Sequence, residues 1–265
     1  MESFAQALSS HKPLKIIGVI NAYVAKMAEA NDAPALYISG AGVANYAWGL
    51  PDQGVTTLEN VAEEVKRIRS ASRLPLLVDM DTGWERIEEA VRTLTAAGAS
   101  AIHIEDQIPQ KRCGHLSGKE VVSIEEMVVR LKAAKFKGLF LVARTDAYEK
   151  EGLEGVIKRA QAYEKAGAEM LFADALPSLE DFIRLKKSIS LPVLINQTEF
   201  GVTPLYPFEK IKDARLDAVL YPLSLARGMM GEALRILKEI VQKGDVTSSL
   251  PRMQPRKELY EYLDT

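Results

Sequence analysis

Short runs of Val, Ile and Leu alternate with helix-patterned stretches almost from one end of the chain to the other. The runs cover residues 14–20, 35–39, 74–79, 101–105, 139–143, 169–172, 192–196 and 218–221. Between them apolar residues recur at helical spacing, as at Leu58, Val61, Val65 and Ile68. Ile157, Ala160, Tyr163 and Ala166 form another such face, and Gly167 follows where that helix should stop. Near-continuous apolar strands separated by helices predict a parallel sheet buried on both faces. Eight strand-and-helix units at this spacing predict a closed (β/α)8 barrel of TIM type; an open doubly wound sheet is the alternative. Ala97-Gly98-Ala99 and Ala166-Gly167-Ala168 repeat one device, a helix-ending glycine feeding an apolar strand that ends in carboxylate. Residues 256–263, after Pro255, predict one more helix outside the eight units. Its Leu259, Tyr260, Tyr262 and Leu263 need cover, either from the chain's own barrel or from another subunit. No linker-like stretch divides the chain, so one barrel domain over 1–265 is expected, with 243–265 as a C-terminal extension.

Composition narrows the partners. With 34 basic against 36 acidic residues and a net charge of −2, the chain offers no basic field for a nucleic-acid backbone. Hydrophobic residues at 47% supply a full core and exclude a disordered chain. No apolar run approaches the ~20 residues that span a bilayer, and the first fifteen residues lack the apolar region of a signal peptide. A single cysteine, Cys113, excludes an intrachain disulfide and points to a reducing, cytoplasmic setting.

In a (β/α)8 barrel the active site lies at the C-terminal strand ends. Here run two ends in Ser39-Gly40, three in Asp79-Met80-Asp81, four in Glu105-Asp106-Gln107 and five in Arg144-Thr145-Asp146. Run six ends in Asp174 and seven in Asn196-Gln197-Thr198-Glu199. One charge after a strand is commonly a helix cap, but six polar ends on one face predict a site. Asp79 and Asp81 alternate, so on a regular strand both point to the same side. Oxygen donors without neighbouring thiol or imidazole suit Mg²⁺ or Mn²⁺ better than zinc. Cys113 sits in a polar loop between Lys111, Arg112 and His115, where cationic neighbours lower a thiol's pKa and make it a proton donor or nucleophile. Gly114 and Gly118 suit a mobile lid.

With Lys111-Arg112-Cys113-Gly114-His115 following Ile102-His103-Ile104-Glu105-Asp106-Gln107, the chain resembles the isocitrate lyase/phosphoenolpyruvate mutase superfamily and, within it, the methylisocitrate lyases. Residues 36–40, 49–52, 143–146, 196–201, 221–224 and 256–261 carry the same resemblance, in order, over nearly the whole chain. The resemblance implies that Ser39, Gly40 and Ala41 bind a substrate carboxylate, and that Asp79 and Asp81 hold Mg²⁺ largely through water. Glu105 and Asp174 would form the outer carboxylate ring. Asp174 stands where methylisocitrate lyases usually carry Glu, which implies a longer water bridge. Cys113 would be the catalytic acid, Gly114 and His115 would help close the lid, and Tyr37 would be the base. Arg144 would meet the reacting carbonyl and carboxylate, with Asn196, Thr198, Arg227 and Arg256 on the remaining carboxylates. The implied substrate is a small tricarboxylate, cleaved in a retro-Claisen sense to pyruvate and succinate. An apolar notch of Phe172, Leu220 and Pro222 would accept the substrate's methyl group. The implied assembly is a homotetramer that swaps its C-terminal helices. Lyases for other 2-hydroxy diacids share the cysteine loop and are the nearest alternative; mutases and phosphonate hydrolases lack that cysteine.

Overall fold

The computed structural model describes residues 2–109 and 118–263. Among them, eight strands form a closed parallel barrel in chain order. They are β1 (Leu14–Gly18), β2 (Ala35–Ile38), β3 (Leu76–Asp79), β4 (Ala101–Glu105), β5 (Phe140–Thr145), β6 (Met170–Ala173), β7 (Val193–Asn196) and β8 (Ala218–Tyr221). The register Leu14↔Ala218 to Ile17↔Tyr221 closes β8 onto β1, which removes the open-sheet alternative. The helices are α1 (Phe4–Ser10), α2 (Ala22–Ala30), the single turn α3 (Gly40–Gly42), α4 (Leu58–Ala71), α5 (Ile87–Ala97) and α6 (Ile124–Ala134). They continue with α7 (Tyr148–Ala166), α8 (Leu179–Ser188), α9 (Phe208–Asp213), α10 (Ser224–Lys243) and α11 (Arg256–Leu263). None of them is long and apolar enough to cross a membrane.

All eight expected strands are present, most with an end moved by one or two residues; the C-terminal ends of β1 and β5 each move by two. β1 stops at Gly18 because a Cβ there would lie 1.8 Å from the Pro222 carbonyl oxygen; the chain turns away at that close approach. β5 runs on to Thr145, its last residues pairing as Glu105↔Arg144 and Thr145↔Ala173. Their polarity had hidden the strand's end. The repeated glycines close α5 and α7 in the left-handed conformation, at φ 114° for Gly98 and 93° for Gly167.

Because side chains alternate across a strand, each strand sends one set inward and one outward. The outward set packs under the helices, as with Ile38, Val78, Ile102 and Leu141. The inward set fills the barrel: Leu14 and Ile16, Ala35 and Tyr37, Leu77, Ala101, Phe140 and Val142, Met170 and Phe172, Leu194, Ala218 and Leu220. α1 plugs the N-terminal opening with Phe4, and a Ser3–Gln6 capping box starts that helix.

The C-terminal helix occupies its expected residues. Within one chain α11 lies on α2, with the Tyr23 and Tyr262 rings edge to face at 6.4 Å. The Tyr23 hydroxyl donates to Gln254 Oε1 at 2.7 Å. α10 leaves Met230, Leu234, Leu237 and Val241 exposed along one stripe.

Candidate active site

Continuing the inward alternation toward the C-terminal ends changes its chemistry. After Leu77 comes Asp79; after Ala101 come His103 and Glu105; after Phe140 and Val142 come Arg144 and Asp146. Met170 and Phe172 lead to Asp174, and Leu194 leads to Asn196. All of these polar residues are buried. The same periodicity that fills the barrel therefore assembles a pocket of ionisable groups at its mouth.

Arg144 is the hub. Its Nε and Nη2 grip Asp146 at 2.9 and 3.1 Å, and Nη2 also donates to Asp174 Oδ2 at 2.9 Å. Glu105 Oε2 stands 3.4 Å from Nε. The guanidinium lies over the Phe172 ring, 5.1 Å from its centroid. Burial opposes its charge, but Asp146, Glu105 and Asp174 outweigh it and hold the guanidinium pKa well above the usual value. Asn196 Nδ2 donates to the other Asp174 oxygen at 3.1 Å, which fixes that carboxylate from both sides.

Asp79 and Asp81 do come together, by a route other than strand alternation. β3 ends at Asp79, and Asp81 lies beyond it in a turn with φ 49°. The Asp81 amide donates to Asp79 Oδ1 at 3.0 Å, and the Gly40 amide donates to Asp79 Oδ2 at 2.9 Å. A Cβ on Gly40 would stand 3.0 Å from Asp81 Oδ1 and 3.1 Å from Asp79 Oδ2. The glycine thus keeps open the small space that both carboxylates face. Ser39 leads into α3, and Ala41 lies within it.

The Tyr37 hydroxyl lies 2.9 Å from His103 Nε2 and 3.3 Å from Asp79 Oδ2. Its ring stacks on the His103 imidazole, which meets Phe172 edge-on. Burial first, then the charge of Asp79, push the phenol well above its ordinary range. Thr198 is buried on the loop after β7. Arg227, in the first turn of α10, is half-exposed at the rim, 3.6 Å from Glu199 and over the exposed Phe200 ring.

Arg256, expected on a substrate carboxylate, begins α11, which packs on α2, and its side chain is exposed. Cys113, Gly114 and His115, with Lys111 and Arg112, lie outside the described residues. The structure adds His103, Asp146 and Asp106, which the sequence reading assigned no role. The inward phase of β4 and β5 was the signal for the first two.

A closed parallel barrel with its charges gathered at the C-terminal strand ends is the build of a barrel enzyme. The chain belongs to the phosphoenolpyruvate phosphomutase family, whose model matches residues 4–241. It is 47% identical to the 2-methylisocitrate lyase of Shewanella oneidensis, over 98% of this chain and 91% of that one. It is 42% identical to the Escherichia coli protein of the same name, over 99% and 92%. Among solved structures it is similar to 2,3-dimethylmalate lyase, with a TM-score of 0.89 at 27% identity over 97% and 90% of the two chains.

Proposed function

We propose that this enzyme cleaves 2-methylisocitrate to pyruvate and succinate with the help of Mg²⁺ or Mn²⁺. The observation that carries the proposal is the Arg144 hub beside the Asp79–Asp81 pair, in a chain nearly half identical to a protein of that name. The carboxylates that would hold the cation offer only oxygen, and Gly40 leaves space where both face; the His103 imidazole, unexpected from the sequence, stands 3.5 Å from Asp79 and is engaged by Tyr37. Among the described residues no three His, Cys, Asp or Glu side chains converge as direct ligands. Water and substrate oxygens would therefore have to complete the coordination of a bound Mg²⁺. Asp79 and Asp81 would hold it, with Glu105 and Asp174 outside them. Bound there, it would supply positive charge against the hydroxyl and adjacent carboxylate oxygens of a 2-hydroxy acid.

The chain's own groups do the rest. Tyr37, held as a neutral phenol, takes the hydroxyl proton as it passes its own to His103 Nε2, 2.9 Å away. Arg144, already fixed by three carboxylates, presents its charge to the carboxylate and carbonyl of the forming pyruvate without having to reorganise. The carbon–carbon bond breaks and its electron pair stays on the succinate carbon. Cys113 returns one proton to that carbon, so the proton count balances. Ser39, Gly40, Ala41, Asn196, Thr198 and Arg227 hold the carboxylates. The proposal includes a homotetramer in which a second copy covers the apolar stripe of α10 and exchanges α11, carrying Arg256 to a neighbouring mouth.

Phe172 and Leu220 are wholly buried and Pro222 is buried beside them, and the Phe172 ring adjoins Arg144. An apolar notch there favours a substrate methyl group. Discrimination by one methyl is limited, so 2-methylisocitrate should exceed isocitrate by about 10–200-fold in kcat/KM. Pyruvate release is to be measured from 2-methylisocitrate, isocitrate and 2,3-dimethylmalate side by side. Equal efficiency, or a preference for either of the others, would move the function to a neighbouring lyase.

A further inference from the structure

Asp106 follows Glu105 and therefore points the opposite way, out of the barrel and into the layer of α7, where it is fully buried. Its Oδ1 accepts the backbone N–H of Asp146 at 3.0 Å. Its Oδ2 accepts the Tyr163 hydroxyl at 2.7 Å and Arg159 Nη1 at 3.2 Å. Arg159 Nη1 also donates to the Val122 carbonyl at 2.9 Å, while its Nε and Nη2 grip Glu151 at 2.8 and 2.6 Å. The backbone of Asp106 joins the same knot, donating to the Arg144 carbonyl at 3.2 Å and accepting from Val122 N at 2.8 Å. One residue thus meets β5, α7 and the 118–122 segment, whose Lys119 Nζ stands 3.9 Å from Asp146 Oδ1.

We propose that Asp106, held by Arg159 and Tyr163, is a positioning residue that sets the aim of Arg144 through the backbone of Asp146. The logic lies in the geometry of the fork. Asp146 grips Arg144 with both carboxylate oxygens, so its main chain determines where the guanidinium plane sits. The bond from Asp106 anchors that main chain at the amide. A purely structural anchor in this layer could be apolar, since buried ion pairs seldom stabilise more than well-packed hydrophobic side chains. A directional bond to one amide, next to a catalytic cation, instead serves placement. Displacements of about 1 Å at such a group can cost about 100-fold in rate.

Tyr163→Phe tests this, because it deletes one donor to Asp106 and one acceptor of Arg159 Nη1 and keeps the buried ring. In the Mg²⁺-loaded protein it should lower kcat for pyruvate release about 5–30-fold, the loss of one charge-assisted bond, while KM changes less than about threefold. Ile68→Val on α4, a core change remote from the knot, is the control for lost stability and should leave kcat unchanged. In an Arg144→Lys background the Tyr163→Phe loss should shrink to within about twofold, because the fork it protects is gone. The kinetic arm rests on the activity proposed above. Hydrogen exchange does not: peptides spanning residues 144–147 should exchange faster in Tyr163→Phe than in Ile68→Val. If the wild type releases no pyruvate, the activity reading fails, and exchange alone decides the role of Asp106. Control-like exchange in Tyr163→Phe, or the same loss of kcat in both backgrounds, overturns the positioning role.

Discussion

At its N-terminal end the barrel interior holds Leu14, Ala35, Ala101, Phe140 and Ala218, and α1 closes the opening with Phe4, 5.1 Å from the Phe140 ring. At the C-terminal end the same inward positions hold Asp79, Glu105, Arg144, Asp146, Asp174 and Asn196, all buried. On β4 and β5 one backbone pattern thus builds two opposite environments four residues apart, Ala101 against Glu105 and Phe140 against Arg144. The lower end gains free energy by removing apolar surface from water, about 25 cal/mol per Å². The upper end removes charges from water, and their mutual attraction roughly offsets that cost. Stability and chemistry are therefore housed at different ends of one core.

The largest effect expected is at the upper end. Arg144→Lys removes the two-pronged grip on Asp146 and should lower kcat about 100–1,000-fold. The urea midpoint should fall little, because the variant keeps the charge among its carboxylates. A large loss of stability with near-normal turnover would reverse the contrast between the two ends. The lower end should show the mirror image. Phe4→Ala empties a fully buried site and should destabilise by about 3–5 kcal/mol in equilibrium urea unfolding, with kcat per folded molecule unchanged.

The smallest effect measures what charge pairing is worth outside the barrel. Glu232 on α10 pairs with Arg235 and Arg252, and their hydrogen bonds lower its pKa from 4.5 to about 2. A carboxylate lowered on folding lends stability that is full above its unfolded pKa and is lost as pH falls through its folded one. The melting-temperature gap between wild type and Glu232→Gln should thus be small at pH 6 and close between pH 4.5 and 2. A gap that widened toward acid would contradict the pairing.

Much of this arrangement was legible in the order of residues. Eight apolar runs predicted eight strands, and Pro255 with the apolar residues after it marked α11, because those signals are local. Asp79, Arg144, Asp174 and Asn196 could be picked out because each continues or ends an apolar run. What stayed hidden depends on distant segments. Asp81 reaches Asp79 through a left-handed turn that no side-chain alternation predicts. Asp106 meets Arg159 and Tyr163 across 53 and 57 residues of chain, on the outward face where a strand-end charge looks like a cap. Arg256 matched a family motif, but a motif does not say which barrel its helix serves.

The central claim is that the upper end is a cation-assisted lyase site. Its most direct test is pyruvate release from 2-methylisocitrate by enzyme stripped with a chelator and then reloaded. Release should vanish on stripping and return with Mg²⁺ or Mn²⁺, because Asp79, Asp81 and the buried Tyr37 cannot hold an ionised hydroxyl unaided. Full turnover by the exhaustively stripped enzyme would contradict the account.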